Sequence, residues 1–117
     1  MRVYISGPIS GHDIIETKWR FAKAEQEIKR CGHDVINPID MADWRLSWRA
    51  YMGIAKVTLL SGDVDMIYVM PGWSHSRGCR LEIRWAIDNG IPVIYSLAAL
   101  PTIEQAPNRE GSVVYAY

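Results

Sequence analysis

Cysteine is scarce in this 117-residue chain: Cys31 and Cys79 are the only two, and they form no C-x-x-C pair. Two cysteines cannot build a disulfide framework, and a domain of this length needs none, because it can bury roughly two thirds of the surface its unfolded chain exposes. Histidine is nearly as rare. His12, His33 and His75 show no H-x-x-x-H spacing and no Cys/His cluster, so no metal site is expected. Net charge is missing too, since 13 Lys and Arg balance 13 Asp and Glu, and the basic residues are scattered. A nucleic-acid polymer held by counterion release is therefore excluded as a partner. The longest strongly apolar stretches reach about six to eight residues, far short of a bilayer span, and the N-terminus lacks the apolar core of a signal peptide. No repeat, low-complexity tract or Pro/Ser-rich linker interrupts the chain. A single cytoplasmic domain over residues 1–117 is expected, without membrane attachment or cofactor.

What is present alternates. Residues 2–6 form a β-rich run closed by Gly7-Pro8. Asp13 and Glu16 resemble a capping box, and Ile14, Phe21, Ala24, Ile28 and Cys31 follow at helical spacing until Gly32. His33 to Asn37 reads as a second strand ended by Pro38. Met41, Trp44, Trp48, Tyr51, Met52, Ala55 and Leu59 share one stripe, with Arg45, Arg49 and Lys56 opposite, which predicts one helix from about Met41 to Leu60, ended by Gly62. Val64 to Met70 is a nearly continuous apolar run, as a central parallel strand requires. Ser76 suits the N-cap of a helix over 77–89, Gly90 stops it, and Ile91 to Tyr95 reads as a fourth strand. A less regular tail follows Pro101, with a further strand at Ser112 to Ala116. Strands alternating with helices imply a parallel sheet wrapped by right-handed crossovers.

Ligands of such sheets bind beyond the carboxyl ends of the strands. Three loops are thereby selected: Ser6 to Gly11, Asn37 to Asp40, and Pro71 to Gly78. The first is small and Gly-rich, so its backbone can approach a sugar or phosphate, or simply turn. In the third, Ser76 and Gly78 open a helix whose free amides suit an anion, although Ser76 also suits plain capping. Glu82 lies one turn further on and leans back toward the crevice. Position 86 is Ala, so Glu82 lacks the usual i,i+4 salt-bridge partner. It is either a carboxylate favoured by the helix dipole or a nucleophile beside a sugar. Asp40 and Asp43 can cap the tryptophan helix, and Asp40 also lies on the ligand edge. Asp63 and Asp65 sit on the opposite edge and read as structural. Trp44 and Trp48 read as core or interface residues in preference to base-stacking platforms. Trp73, between Gly72 and Ser74, can cover a ligand or meet a second subunit.

Tyr4-Ile5-Ser6-Gly7-Pro8-Ile9-Ser10, Asn37-Pro38, Asp65 to Trp73, and Ser76-x-Gly78-x-x-x-Glu82 with Ala86, Gly90 and Pro92-Val93-Ile94 together resemble the nucleoside 2-deoxyribosyltransferase-like superfamily, in its DUF4406 branch. The likeness spans about residues 3 to 95. It implies a small Rossmann- or flavodoxin-like three-layer α/β sandwich with a four- to five-stranded, mainly parallel sheet. It implies cleavage or exchange of the N-glycosidic bond of a 2′-deoxynucleoside or its 5′-monophosphate, with Glu82 as catalytic nucleophile. Substrate would be held by Tyr4, Ser6, Gly7, Pro8, Ser10, Asp40, Gly72, Trp73, Ser76 and Gly78. Similar enzymes are homo-oligomers whose partner subunit completes the site. They also carry an Asp in the helix before the central strand, where this chain has Ala55, Lys56 and Val57. The group that protonates the leaving base is thus unassigned, with His75, Asp40 or a partner residue in question. The alternative is a nucleotide-binding module or sensor of the same fold that performs no catalysis.

Overall fold

The computed structural model describes residues 1–41 and 46–101. Strand β1 (Arg2–Ser6) is buried from Val3 onward, because it runs through the middle of the sheet with both faces covered. Its neighbours are β2 (Asp34–Ile36) and β3 (Met66–Val69), and β4 (Val93–Ile94) pairs with β3. All pairings are parallel, with Tyr4 opposite Ile36 on one side and Ile67 on the other. The order β2-β1-β3-β4 is that of a flavodoxin-like doubly wound sheet.

Period-two alternation sorts the strand side chains between two cores. Val3, Ile5, Met66 and Tyr68 meet Phe21, Ala24 and Ile28 of α1 (Ile14–Arg30). Tyr4, Ile67 and Val69 meet Met52, Ala55 and Leu59 of α3 (Trp48–Leu59) and Ile83 and Ala86 of α4 (Arg77–Asp88). Three layers result. The opening of α1 departs from the sequence pattern: Ile14 is exposed, while Thr17 is buried and donates its hydroxyl to the Asp13 carbonyl at 2.7 Å. Asp13 does cap the helix, accepting from the Ile15 N–H at 3.0 Å.

The expected single helix from Met41 to Leu60 is corrected. Asn37 turns the chain into a short helix, α2 (Pro38–Met41), by accepting from the Ile39 N–H at 3.1 Å. Helix α3 starts afresh at Trp48, capped by Ser47, whose Oγ accepts from the Ala50 N–H at 3.1 Å. The apolar stripe hid this start because periodicity carries no record of a side-chain cap. Asp43, Trp44 and Arg45 lie outside the described residues, as does the strand expected at Ser112 to Ala116. Elsewhere the stops are where the glycines are: Gly32 and Gly90 follow α1 and α4 at φ 94° and 72°, a backbone region that favours residues without a Cβ. Asp65 is structural, its Oδ2 accepting from the Arg2 N–H at 2.8 Å. Both cysteines are free. No described helix is long and apolar enough to cross a membrane.

From β1 the chain crosses to β2 on one side and later to β3 on the other. The crevice this reversal leaves at the carboxyl ends of β1 and β3 is where the site lies.

Candidate active site

A cavity of about 270 Å³ opens at this edge. One wall is the β1–α1 loop, with Gly7, Ile9, Ser10 and His12. The other comes from the first turns of α3, with Trp48, Tyr51 and Met52, and of α4, with Ser76, Gly78 and Cys79. Glu82 lines its base and is 4% exposed.

Glu82 is held by two donors from one strand. Tyr4 and Ser6 are two residues apart on β1, so both point to the face that α4 covers. The Tyr4 hydroxyl donates to Oε2 at 2.5 Å and the Ser6 hydroxyl to Oε1 at 2.6 Å. A carboxylate has roughly four acceptor positions, so both oxygens keep acceptor capacity. Burial pushes the carboxyl up from 4.5 to about 7, against the downward pull of the Ser6 and Tyr4 hydrogen bonds. The same burial pushes the Tyr4 phenol well above its ordinary value, with the Glu82 charge adding to the effect. The Tyr51 phenol is raised by burial and then by Glu82. Burial also raises the Cys79 thiol, partly offset by hydrogen bonds with Ser6 and Ser76. Near neutral pH the group in this cluster that changes charge is therefore Glu82.

Two helix N-termini face the same cavity. Ser47 caps α3, and Ser76 caps α4 by accepting from the Cys79 N–H at 3.2 Å. Neither first turn carries an acidic residue, so both positive dipole ends are unneutralised by their own helix. A Cβ on Gly78 would stand 3.2 Å from Met52 Sδ and 3.7 Å from Trp48 Nε1. Glycine thus allows α4 to start hard against α3. The Arg77 guanidinium lies over the Trp48 ring, 4.5 Å from its centroid.

The other residues expected at the site are distributed unevenly. Tyr4 and Ser6 sit behind Glu82, while Gly7, Ser10, Ser76 and Gly78 line the cavity directly. Gly7 also has a packing reason: a Cβ there would run into Met70 Cε and come within 2.9 Å of Phe21 Cζ. Pro8, Asp40, Gly72 and Trp73 are not brought to the cavity wall. Pro8 is buried beside Gly72. Trp73, in a 3-10 turn, packs on Tyr95 with ring centroids 5.2 Å apart. Asp40 is exposed on α2, which follows β2, and does not line the cavity. His75 is also off the wall.

Sequence reasoning passed over His12, Tyr51 and Met52, and assigned Trp48 to core or interface. Trp48 is half-buried and lines the cavity with Tyr51. A legible signal was Ser47, a good N-cap that marks the start of α3 and so places Trp48, Tyr51 and Met52 in its opening turns. Among the described residues no three His, Cys, Asp or Glu side chains gather as metal ligands.

No curated protein matches the chain. The family model DUF4406, a domain of unknown function, matches residues 1–95. That span holds all four described strands and every described residue of the cavity wall, and the chain belongs to the DUF4406 family.

Proposed function

We propose that the chain cleaves or exchanges the N-glycosidic bond of a 2′-deoxynucleoside or its 5′-monophosphate, with Glu82 attacking the anomeric carbon. The observation that carries this reading is a buried carboxylate, clamped by Tyr4 and Ser6, that faces an open cavity. Departure of a base leaves an oxocarbenium-like sugar, which a nearby carboxylate stabilises and then captures as a glycosyl ester. The hydrogen bonds from Tyr4 and Ser6 fix the carboxylate, so little reorganisation is needed at the moment of attack. The attacking form is the anion, which prevails above about pH 7. Water or a second base then attacks the same carbon, returning the sugar with retained configuration.

The cavity walls support the rest of the substrate. Trp48 and Tyr51 offer aromatic surface to a base. The N-termini of α3 and α4 suit a 5′-phosphate, whose charge neither first turn opposes. The resemblance to nucleoside 2-deoxyribosyltransferase-like enzymes extends the reading to a cytoplasmic homo-oligomer.

The test is incubation with a mixture of 2′-deoxynucleosides and their 5′-monophosphates, with and without a free acceptor base, and product identification by mass spectrometry. Free base is expected from wild type and none from Glu82→Ala. Failure of wild type to turn over any member at high protein concentration would refute catalysis. Thermal stabilisation by a nucleotide without turnover would establish the binding-module reading instead.

A further inference from the structure

We propose that His12 is the proton donor to the departing base, a role that rests on the Glu82 reading above. When Glu82 bonds to the anomeric carbon, the electron pair of the carbon–nitrogen bond passes to the base. A purine or pyrimidine anion leaves poorly unless a proton arrives with it.

The described side chains of the cavity wall supply few acids. Glu82 is consumed as nucleophile. Tyr51 and Cys79 hold their protons tightly because burial disfavours their anions. The hydroxyls of Ser10, Ser47 and Ser76 are aliphatic and no acids at neutral pH, and those of Ser47 and Ser76 also accept helix N–H groups. His12 remains, and imidazole is the side chain suited to proton transfer near neutrality.

Its placement agrees with the role. The His12 N–H donates to the Ile9 carbonyl at 3.2 Å, closing a turn in which Gly11 takes φ 82°. Asp13 then caps α1. This turn puts an exposed imidazole on the wall of the cavity that the buried Glu82 also lines. The imidazole makes no side-chain hydrogen bond or ion pair among the described residues, so it is free to turn onto a ligand. The proposed role places the anomeric carbon at Glu82 and the base on the His12 side of the cavity. His12 as imidazolium gives its proton to a nitrogen or carbonyl oxygen of the base, which departs neutral. The resulting imidazole takes a proton from the water or acceptor base that resolves the ester, restoring imidazolium and carboxylate.

The experiment compares a 2′-deoxynucleoside 5′-monophosphate with 4-nitrophenyl 2-deoxyriboside, whose phenolate leaves without protonation. His12→Gln should lower kcat/KM for the nucleotide by about 10²-fold or more and leave the nitrophenyl substrate within a few-fold of wild type. Glu82→Ala should lose both. Because the His12 side chain is exposed, the variant should keep the wild-type melting temperature. Equal losses on both substrates, or no loss on either, would overturn the inference. Wild type that cleaves only the nitrophenyl substrate would overturn the donor role while leaving Glu82 as nucleophile. Wild type that cleaves neither would remove the glycosidic reading and this one with it.

Discussion

Replacing Glu82 by glutamine removes the charge of a carboxyl group that the fold keeps almost fully buried. In the folded chain this group titrates at about 7, against 4.5 ordinarily. That difference, at about 1.36 kcal/mol for each tenfold change in proton affinity, corresponds to about 3 kcal/mol. Its sign follows from proton counting. Between about pH 4.5 and 7 the folded chain keeps the Glu82 proton and the unfolded chain releases it, so stability falls as pH rises. The contribution is fully present below 4.5, is lost as pH rises through 7, and is constant above. Tyr4, Tyr51 and Cys79 face Glu82 and all hold their protons across this window, since burial raises each of them. Ser6 does not titrate there. Glutamine keeps the shape and the acceptor oxygen but cannot ionise. Urea unfolding of wild type and Glu82→Gln across the pH range gives the difference in stability, in which the other groups cancel. Wild type should lose about 3 kcal/mol relative to the variant between acidic and mildly alkaline pH. Parallel profiles would refute the reasoning, and a difference of opposite slope would mean that the anion is stabilised in the folded chain.

Gly7→Ala should destabilise by about 1–3 kcal/mol, the usual cost of overpacking, because the new methyl meets Met70 and Phe21; unchanged urea unfolding would refute that close packing. Ser76→Asp separates capping from anion binding. Asp caps as well as Ser and suits the dipole, so stability should stay within about 0.5 kcal/mol. The thermal shift given by a deoxynucleoside 5′-monophosphate should vanish while that of the uncharged deoxynucleoside persists. A retained monophosphate shift would remove the phosphate from the start of α4.

The features readable from the sequence are those that neighbours along the chain control. Gly32 and Gly90 end helices because the required φ is local, and Ser76 caps α4 across three residues. The apolar run around Ile67 and Val69 announced a strand covered on both faces, and strict alternation of strand and helix implied the parallel sheet. Even the lean of Glu82 toward the crevice was legible, as a property of any helix. The break between α2 and α3 was missed because an apolar stripe at helical spacing continues across it, and the Ser47 cap is a hydrogen bond that periodicity does not register. What makes Glu82 chemically distinct was also out of reach. Its donors Tyr4 and Ser6 lie 78 and 76 positions away, and they meet it because β1 occupies the centre of the sheet beneath α4. His12 and Trp48 likewise share one cavity only through the packing of the β1–α1 loop against α3. Local propensities act over a few residues, so the sequence by itself determined most of the elements and their alternation, but not the division between α2 and α3. Strand order and helix packing, which join distant segments, decided the burial that sets the charge of Glu82 and the groups that face it.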